Sequence, residues 1–160
     1  MLIRSAIEAD SDAIADVYLR AWRIAMPFVR NAHTDEQVRE WIRLRVVPSG
    51  RVLVAEEGGA ILAMLAHSED EEHCWIDQLY VDPAFSRRGI GTMLLGQAVA
   101  LAVGRAIRLY SFQANTAARS FYERHGFRAI SFGDGSGNEE RCPDALYERP
   151  PGTPLLHPAE

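Results

Sequence analysis

The stretch DPAFSRRGIGTMLL, Asp82 to Leu95, restricts the fold more than any other part of the chain. It follows the strand-like run HCWIDQLYV and leads directly into an apolar helical run. A strand ending at Val81 must therefore feed a helix near Gly89 through a loop holding a proline, two arginines and two glycines. Consecutive backbone N–H groups and the positive end of a helix dipole meet at one point in such a loop, and a phosphate suits that point. Gly89 and Gly91 allow close main-chain approach. Arg87 and Arg88 add local positive charge. The same residues also make an ordinary helix cap with solvated charges, and Gly-Ile-Gly alone does not separate the two readings. Two nucleotide motifs fail on spacing: Leu94 stands where a dinucleotide fingerprint needs its third glycine, and Gly91 precedes Thr92 without the lysine of a nucleoside-triphosphate loop.

What surrounds this loop is one globular domain by length and composition. The chain has 160 residues, 48% hydrophobic and 24% charged, enough for one sizeable core. Its net charge of −5 and pI near 5.5 argue against a nucleic-acid binder, which uses a broad positive field. The N-terminal segment lacks the apolar region of a secretory signal, and no run approaches the roughly 18 apolar residues of a membrane span. Met93 to Ile107 is broken by Gln97, Gly104 and Arg105, as in a buried helix. Cys74 and Cys142 fit neither a disulfide framework nor a metal-site spacing. Reduced thiols, no metal and a cytoplasmic location are the expectation.

The order of elements is mixed α/β. LIRSAI reads as a strand, and Asp10 with Asp12 caps a helix carrying Ile14, Val17, Tyr18, Ala21 and Trp22 at helical spacing, ended by Pro27. Thr34 and Gln37 make a capping box for a second helix with Val38, Trp41, Ile42 and Arg45 on its apolar side. RVLVAEE and AILAMLAHS form a hairpin across Gly58-Gly59. HCWIDQLYV, the arginine-glycine loop and a helix to about Gly104 follow. AIRLYSF, a helix from Asn115-Thr116, GFRAISF and DALYERP complete the domain over residues 1–150, and residues 151–160 read as a poorly ordered tail.

LYVDPAFSRRGIGTMLL followed by ANTAARSFYERHGF resembles the acyl-CoA-binding core of the GNAT superfamily of N-acetyltransferases. The resemblance is specific over residues 74–132, and GSGNEERCPDALYERP is similar to the closing segment of many bacterial members. It implies a single domain with a mixed, mostly antiparallel sheet of about seven strands flanked by about four helices. It also implies acetyl-CoA as cosubstrate and transfer of an acetyl group to a primary amine within a ternary complex. A non-catalytic acyl-CoA sensor of the same fold is the alternative. Ser86 stands where the family carries glutamine or arginine; a serine hydroxyl still donates to a phosphate oxygen.

Residue by residue, the resemblance puts Leu79, Tyr80 and Val81 on the strand edge that pairs with the pantetheine arm. A backbone N–H near Leu79 would polarise the thioester carbonyl. Arg87, Arg88, Gly89, Ile90, Gly91 and Thr92 would surround the pyrophosphate. Asn115 would bond the pantetheine arm, cap a helix, or both. Tyr122 is placed as general acid beside the coenzyme sulfur, although its spacing alone also fits a core tyrosine. A glutamate that some members carry five residues before the asparagine is replaced by Tyr110. Asp77 is the alternative base, because even strand alternation would give it the face of Leu79 and Val81 while Cys74 takes the other. An ordinary strand carboxylate or a relaying water remain open beside it. Trp22, Phe28 and His33, from the variable N-terminal helices, are the candidates for an acceptor pocket. The acceptor is a small molecule or peptide amine, and an exposed sheet edge leaves a homodimer open.

Overall fold

In the computed structural model, which describes residues 1–155, the seven strands form one sheet in the order β1-β2-β3-β4-β5-β7-β6. They are β1 (Leu2–Ser5), β2 (Val52–Glu57), β3 (Ala60–Glu69), β4 (His73–Val81), β5 (Ala106–Phe112), β6 (Arg128–Gly133) and β7 (Asp144–Arg149). Four helices flank it: α1 (Ser11–Ala25), α2 (Asp35–Trp41), α3 (Ile90–Ala102) and α4 (Thr116–Arg124). Every neighbouring pair is antiparallel except β4 and β5. The expected mixed, mostly antiparallel architecture is the one observed.

The central strands are apolar on both faces because helices cover both. Val52, Val54, Met64 and Ala66 pack under α1 and α2 with Ile14, Tyr18, Leu19 and Val38. Alternating with them, Leu53, Ala55, Ala63 and Leu65 pack under α3 and α4 with Leu94, Leu95, Ala98 and Tyr122. The β2–β3 hairpin turns on Gly58 and Gly59, both at positive φ (59° and 83°), the geometry of a tight hairpin turn. Thr34 Oγ1 accepts from the Gln37 N–H while the Gln37 side chain accepts from the Thr34 N–H, completing the capping box of α2. Beyond Trp41 this helix continues as a wider turn, Ile42–Val46.

Two local expectations are corrected. Asp10 does not cap α1 with its side chain: its carboxylate accepts from both terminal nitrogens of Arg4 at 2.7 and 3.0 Å and from the Ile7 N–H, tying β1 to the helix entry. A charge-assisted pair outbids a single cap bond here. The segment after β7 is not a loose tail over its described part. Arg149 donates to the Thr153 carbonyl, and Leu155 packs against the α3 cluster, within contact distance of Gly96. Residues 156–160 of the expected tail lie outside the described residues.

Leu94 is fully buried between α3 and the sheet. Leu94→Ala is expected to lower unfolding free energy by about 2–5 kcal/mol, the cost of lost burial plus an unfilled cavity. Denaturant titration would read this as a lower midpoint at an unchanged slope.

Candidate active site

The parallel pairing of β4 with β5 is short. It runs through His73 with Ala106, Cys74 with Ile107 and Trp75 with Arg108, and then stops. Beyond it, β4 remains paired only to β3 and β5 only to β7. The strands part, and a cavity of about 600 Å³ opens between Ile76–Tyr80 on one side and Leu109–Phe112 on the other. Asn115, Ala118 and Tyr122 form one wall, and the β6–β7 loop from Gly133 to Asn138, with Asp144, forms another. The facing edges of β4 and β5 thus present main-chain donors and acceptors to the cavity rather than to each other.

Tyr122 is 8% exposed, packed edge-on to Phe121 and Phe127, and still lines this cavity. Burial pushes its phenol well above the ordinary tyrosine value, so it is a protonated donor at neutral pH. Core residue and cavity residue prove to be the same tyrosine. Asn115 is likewise both: its Oδ1 accepts from the Ala118 N–H at 3.2 Å, capping α4, while the residue lines the cavity.

Asp77 reaches the cavity by a different route from the expected one. Ala66 pairs with Gln78 and His67 with Ile76, so β4 carries an extra residue, a bulge, at Asp77. Ile76 joins the α3 cluster with Leu79 and Val81, three and five residues later, which even alternation forbids. The bulge breaks the alternation that was to give Asp77 the face of Leu79. Asp77 Oδ1 instead accepts from Ser68 Oγ at 3.0 Å. The surrounding cavity wall pushes its carboxyl above the usual carboxylate range, with the Ser68 hydroxyl opposing that shift. Cys74 packs toward α3, away from the cavity lining.

The loop from Asp82 to Thr92 is held from below. The Asp82 carboxylate, 6% exposed, accepts from Arg20 of α1 at 2.6 Å and from the Ala84 N–H at 3.0 Å. Gly89, at φ 76°, stands immediately before α3, and Arg87 is held at φ 62°, a left-handed conformation that costs a side-chain-bearing residue about 1 kcal/mol or more. The amides of Gly89 to Gly91 therefore open at the head of α3 with an exposed Arg87 beside them. Arg88 pairs with Glu57 at 3.0 Å and lies over the Phe85 ring. The Ser86 hydroxyl, at an exposed position, donates to the Pro83 carbonyl at 3.0 Å and so braces the loop. Ile90 contributes only main chain, since its side chain is in the core. Thr92 Oγ1 lies 3.1 Å from His125 Nε2, a partner not foreseen from sequence; burial lowers this imidazole's basicity.

The three acceptor-pocket candidates do not line the cavity. Trp22 is buried against Tyr18 and touches the cavity only through Phe112, at 5.7 Å between ring centroids. Phe28 is exposed. His33 lies outside the lining, its Nε2 2.6 Å from Glu139 of the β6–β7 loop. The residues that do line the far wall, Gly133 to Asn138 and Asp144, fall in or beside GSGNEERCPDALYERP, which in sequence stood out only for its similarity to a family closing segment and not as a site. Among the described residues no group of three or more His, Cys, Asp or Glu converges as a metal site.

Carboxyl-selective NMR titration should place the Asp77 midpoint above the ordinary aspartate range. Ser68→Ala should raise it further, because the lost hydroxyl donor favours the charged form.

A family model described as "Acetyltransferase (GNAT) family" matches residues 13–127. An uncharacterized N-acetyltransferase of Methanocaldococcus jannaschii is 27% identical over 136 residues, covering 78% of this chain; the chain spans 59% of that relative's length. A GNAT-family acetyltransferase from Bacillus cereus superposes with a TM-score of 0.73 at 16% identity, over 94% of this chain and 96% of that one. The PaiA N-acetyltransferase of Thermoplasma acidophilum, determined in complex with coenzyme A, superposes with a TM-score of 0.71 at 20% identity, over 93% and 98%. The parted strands, the glycine loop heading α3 and a family match over most of the chain lead to one conclusion: this chain belongs to the GNAT family of acetyltransferases.

Proposed function

We propose that the chain is an acetyl-CoA-dependent N-acetyltransferase that passes an acetyl group directly to a primary amine in a ternary complex. The observation that carries this reading is Tyr122, a buried tyrosine that lines a cleft whose other wall is the free edge of β4. An amide-rich arm in that cleft would pair with the main chain of Leu79, Tyr80 and Val81, as a strand pairs with a sheet edge. Asn115, which lines the cleft, would bond the same arm. The amides from Gly89 to Gly91, with Arg87, Arg88 and Thr92 around them, suit a pyrophosphate. Arg88 would divide its charge between that anion and Glu57.

In this reading coenzyme A supplies an acetyl thioester, and the protein supplies the rest. Asp77, or a water it orders, takes a proton from the ammonium so that the nitrogen lone pair can form the new N–C bond. A backbone N–H near Leu79 donates to the acyl oxygen as charge gathers there. As the C–S bond breaks, Tyr122 donates its proton to the departing sulfur; the nitrogen, cationic after attack, sheds a second proton that restores the phenol through solvent, and the proton Asp77 took from the ammonium is released to water. The raised Tyr122 value keeps the phenol protonated and available as a donor at neutral pH, while making it a weaker acid than an exposed tyrosine. The catalytic unit is residues 1–150, with Leu155 beyond it packed against the α3 cluster.

Tyr122→Phe is expected to reduce kcat by about 100-fold or more, the usual weight of a positioned general acid, with coenzyme A affinity retained in calorimetry. A wild-type kcat in that variant would remove Tyr122 from the acid role. Gly91→Asp brings a Cβ to 3.4 Å from the Phe121 ring and a negative charge to the anion loop, and should abolish coenzyme A binding. For wild type, kcat/KM should fall as pH drops through a midpoint above the usual carboxylate range, because Asp77 must be ionised to accept a proton. That acid limb should vanish in Asp77→Asn; if it persists, water alone carries the proton. Coenzyme binding without thiol release from any amine would instead identify a sensor.

A further inference from the structure

Among the described residues His125 is the one buried histidine, 6% exposed, and the reaction described above gives it no part. It follows the last turn of α4, three residues beyond Tyr122, and its main chain is tied down. The His125 N–H donates to the Tyr122 carbonyl at 3.0 Å, and its carbonyl accepts from Nε of the buried Arg149 at 2.9 Å. The ring packs edge-on against Phe121, with 4.7 Å between centroids, and Phe121 is also the ring that a Cβ at Gly91 would touch at 3.4 Å. The imidazole is thus wedged behind the head of α3. Its Nε2 lies 3.1 Å from Thr92 Oγ1, while Nδ1 is buried with no hydrogen-bond partner among the described residues.

Where the ring carries its proton decides what Thr92 can do. Burial first, then the nearby Arg124 and Arg149, lower the basicity of the imidazole and keep it neutral, so it holds a single N–H. A proton on Nδ1 would leave a buried donor unanswered, a defect rarer than an unanswered lone pair, and would consume the Thr92 hydroxyl as donor to Nε2. A proton on Nε2 is bonded to Thr92 Oγ1 and leaves only a lone pair unanswered. Thr92 then accepts from the ring and keeps its own O–H to give. Thr92 is the third residue of α3, just ahead of the bond that opens the helix, Met93 N–H to the Gly89 carbonyl at 3.0 Å. Helical side chains lean toward the N-terminus, so the hydroxyl is carried toward the free amides at the helix head.

We infer that His125 is a positioning residue for the anion loop: its Nε2–H holds the Thr92 hydroxyl with the hydroxyl proton free, so that Thr92 donates to a pyrophosphate oxygen. This rests on the acetyl-CoA reading above and adds to the loop a residue 33 positions beyond Thr92. The bonds from Nε2–H to Oγ1 and from Oγ1–H to phosphate run in one direction, each polarising the next. An anion that draws on the Thr92 proton also selects the Nε2 tautomer, so loop and imidazole are organised together. One end of α4 thereby serves both ends of the coenzyme: Tyr122 the sulfur, and His125, through Thr92, the pyrophosphate.

The test is calorimetry of coenzyme A and of pantetheine, which lacks the phosphates, on the full chain and its variants. Thr92→Val, matched in shape, should weaken coenzyme A binding about tenfold or more, as loss of a hydrogen bond to a charged group does, and should weaken pantetheine binding less. His125→Leu should lower the ratio of coenzyme A to pantetheine affinity by about five- to tenfold. His125→Gln, whose side-chain amide nitrogen reaches about as far as Nε2, should restore part of that ratio. The Thr92→Val/His125→Leu double variant should lose no more than Thr92→Val alone, because one residue acts through the other. A ratio unmoved by His125→Leu, an equal loss for pantetheine, or losses that multiply in the double variant would overturn the inference, since each describes packing and not positioning. Failure of the wild-type chain to bind coenzyme A would overturn the acetyl-CoA reading and this inference with it; wild type that binds, with a ratio indifferent to His125, sinks the inference alone.

Discussion

The parting of β4 from β5 after three residue pairs is the constraint on which the rest of the molecule depends. A parallel pair joined through a helix would ordinarily run on until its strands end, each added residue satisfying main-chain groups. Here the ladder is abandoned early. The exposed peptide groups on both edges cost free energy unless water or a ligand answers them. The fold carries that cost because both strands remain paired on their other sides, β4 with β3 and β5 with β7. Opening the sheet in its middle thus preserves the two half-sheets and creates a cleft lined by backbone.

The rest of the architecture holds that cleft in shape. From one face α1 presses on the sheet through Ile14, Tyr18 and Leu19, and its Arg20 reaches the Asp82 carboxylate that shapes the glycine loop. From the other face α3 and α4 bury Leu94, Leu95, Phe127 and Tyr122 under the sheet. Tyr122 is therefore fixed by packing before it does anything chemical. The same burial that stabilises the core raises the phenol's affinity for its proton. The bulge at Asp77 has a comparable double effect: it shifts the alternation of β4 and aims a carboxylate into the cleft instead of the core.

Much of this was legible because it depends on local chemistry. The order of strands and helices follows from alternation, capping residues and the Gly58-Gly59 turn, all of which act within a few residues. Gly89 and Asn115 were readable because each has a residue-type requirement at its own position, a left-handed turn and a cap; Tyr122 was singled out by the resemblance, its spacing alone fitting a core tyrosine. The acceptor side was not readable in that way. Trp22, Phe28 and His33 were sensible choices on a variable segment, yet Trp22 is absorbed by the aromatic cluster around Tyr18 and His33 stays outside the lining beside Glu139. The wall they were expected to form is built by Gly133 to Asn138 and Asp144, some hundred residues away in sequence.

By itself, then, the sequence determined the family, the seven-stranded plan with four helices, the glycine loop at the head of α3 and the tyrosine on α4, because these are set by short-range patterns that survive in isolation. Only the tertiary structure decided where β4 and β5 part, that Asp77 leaves the face its spacing assigned, and that Ser86 and Arg88 are bonded within the protein. Those properties arise from pairing register and from the meeting of distant segments. A bulge of one residue reverses every side chain beyond it, and no periodicity in the residues themselves announces where it falls.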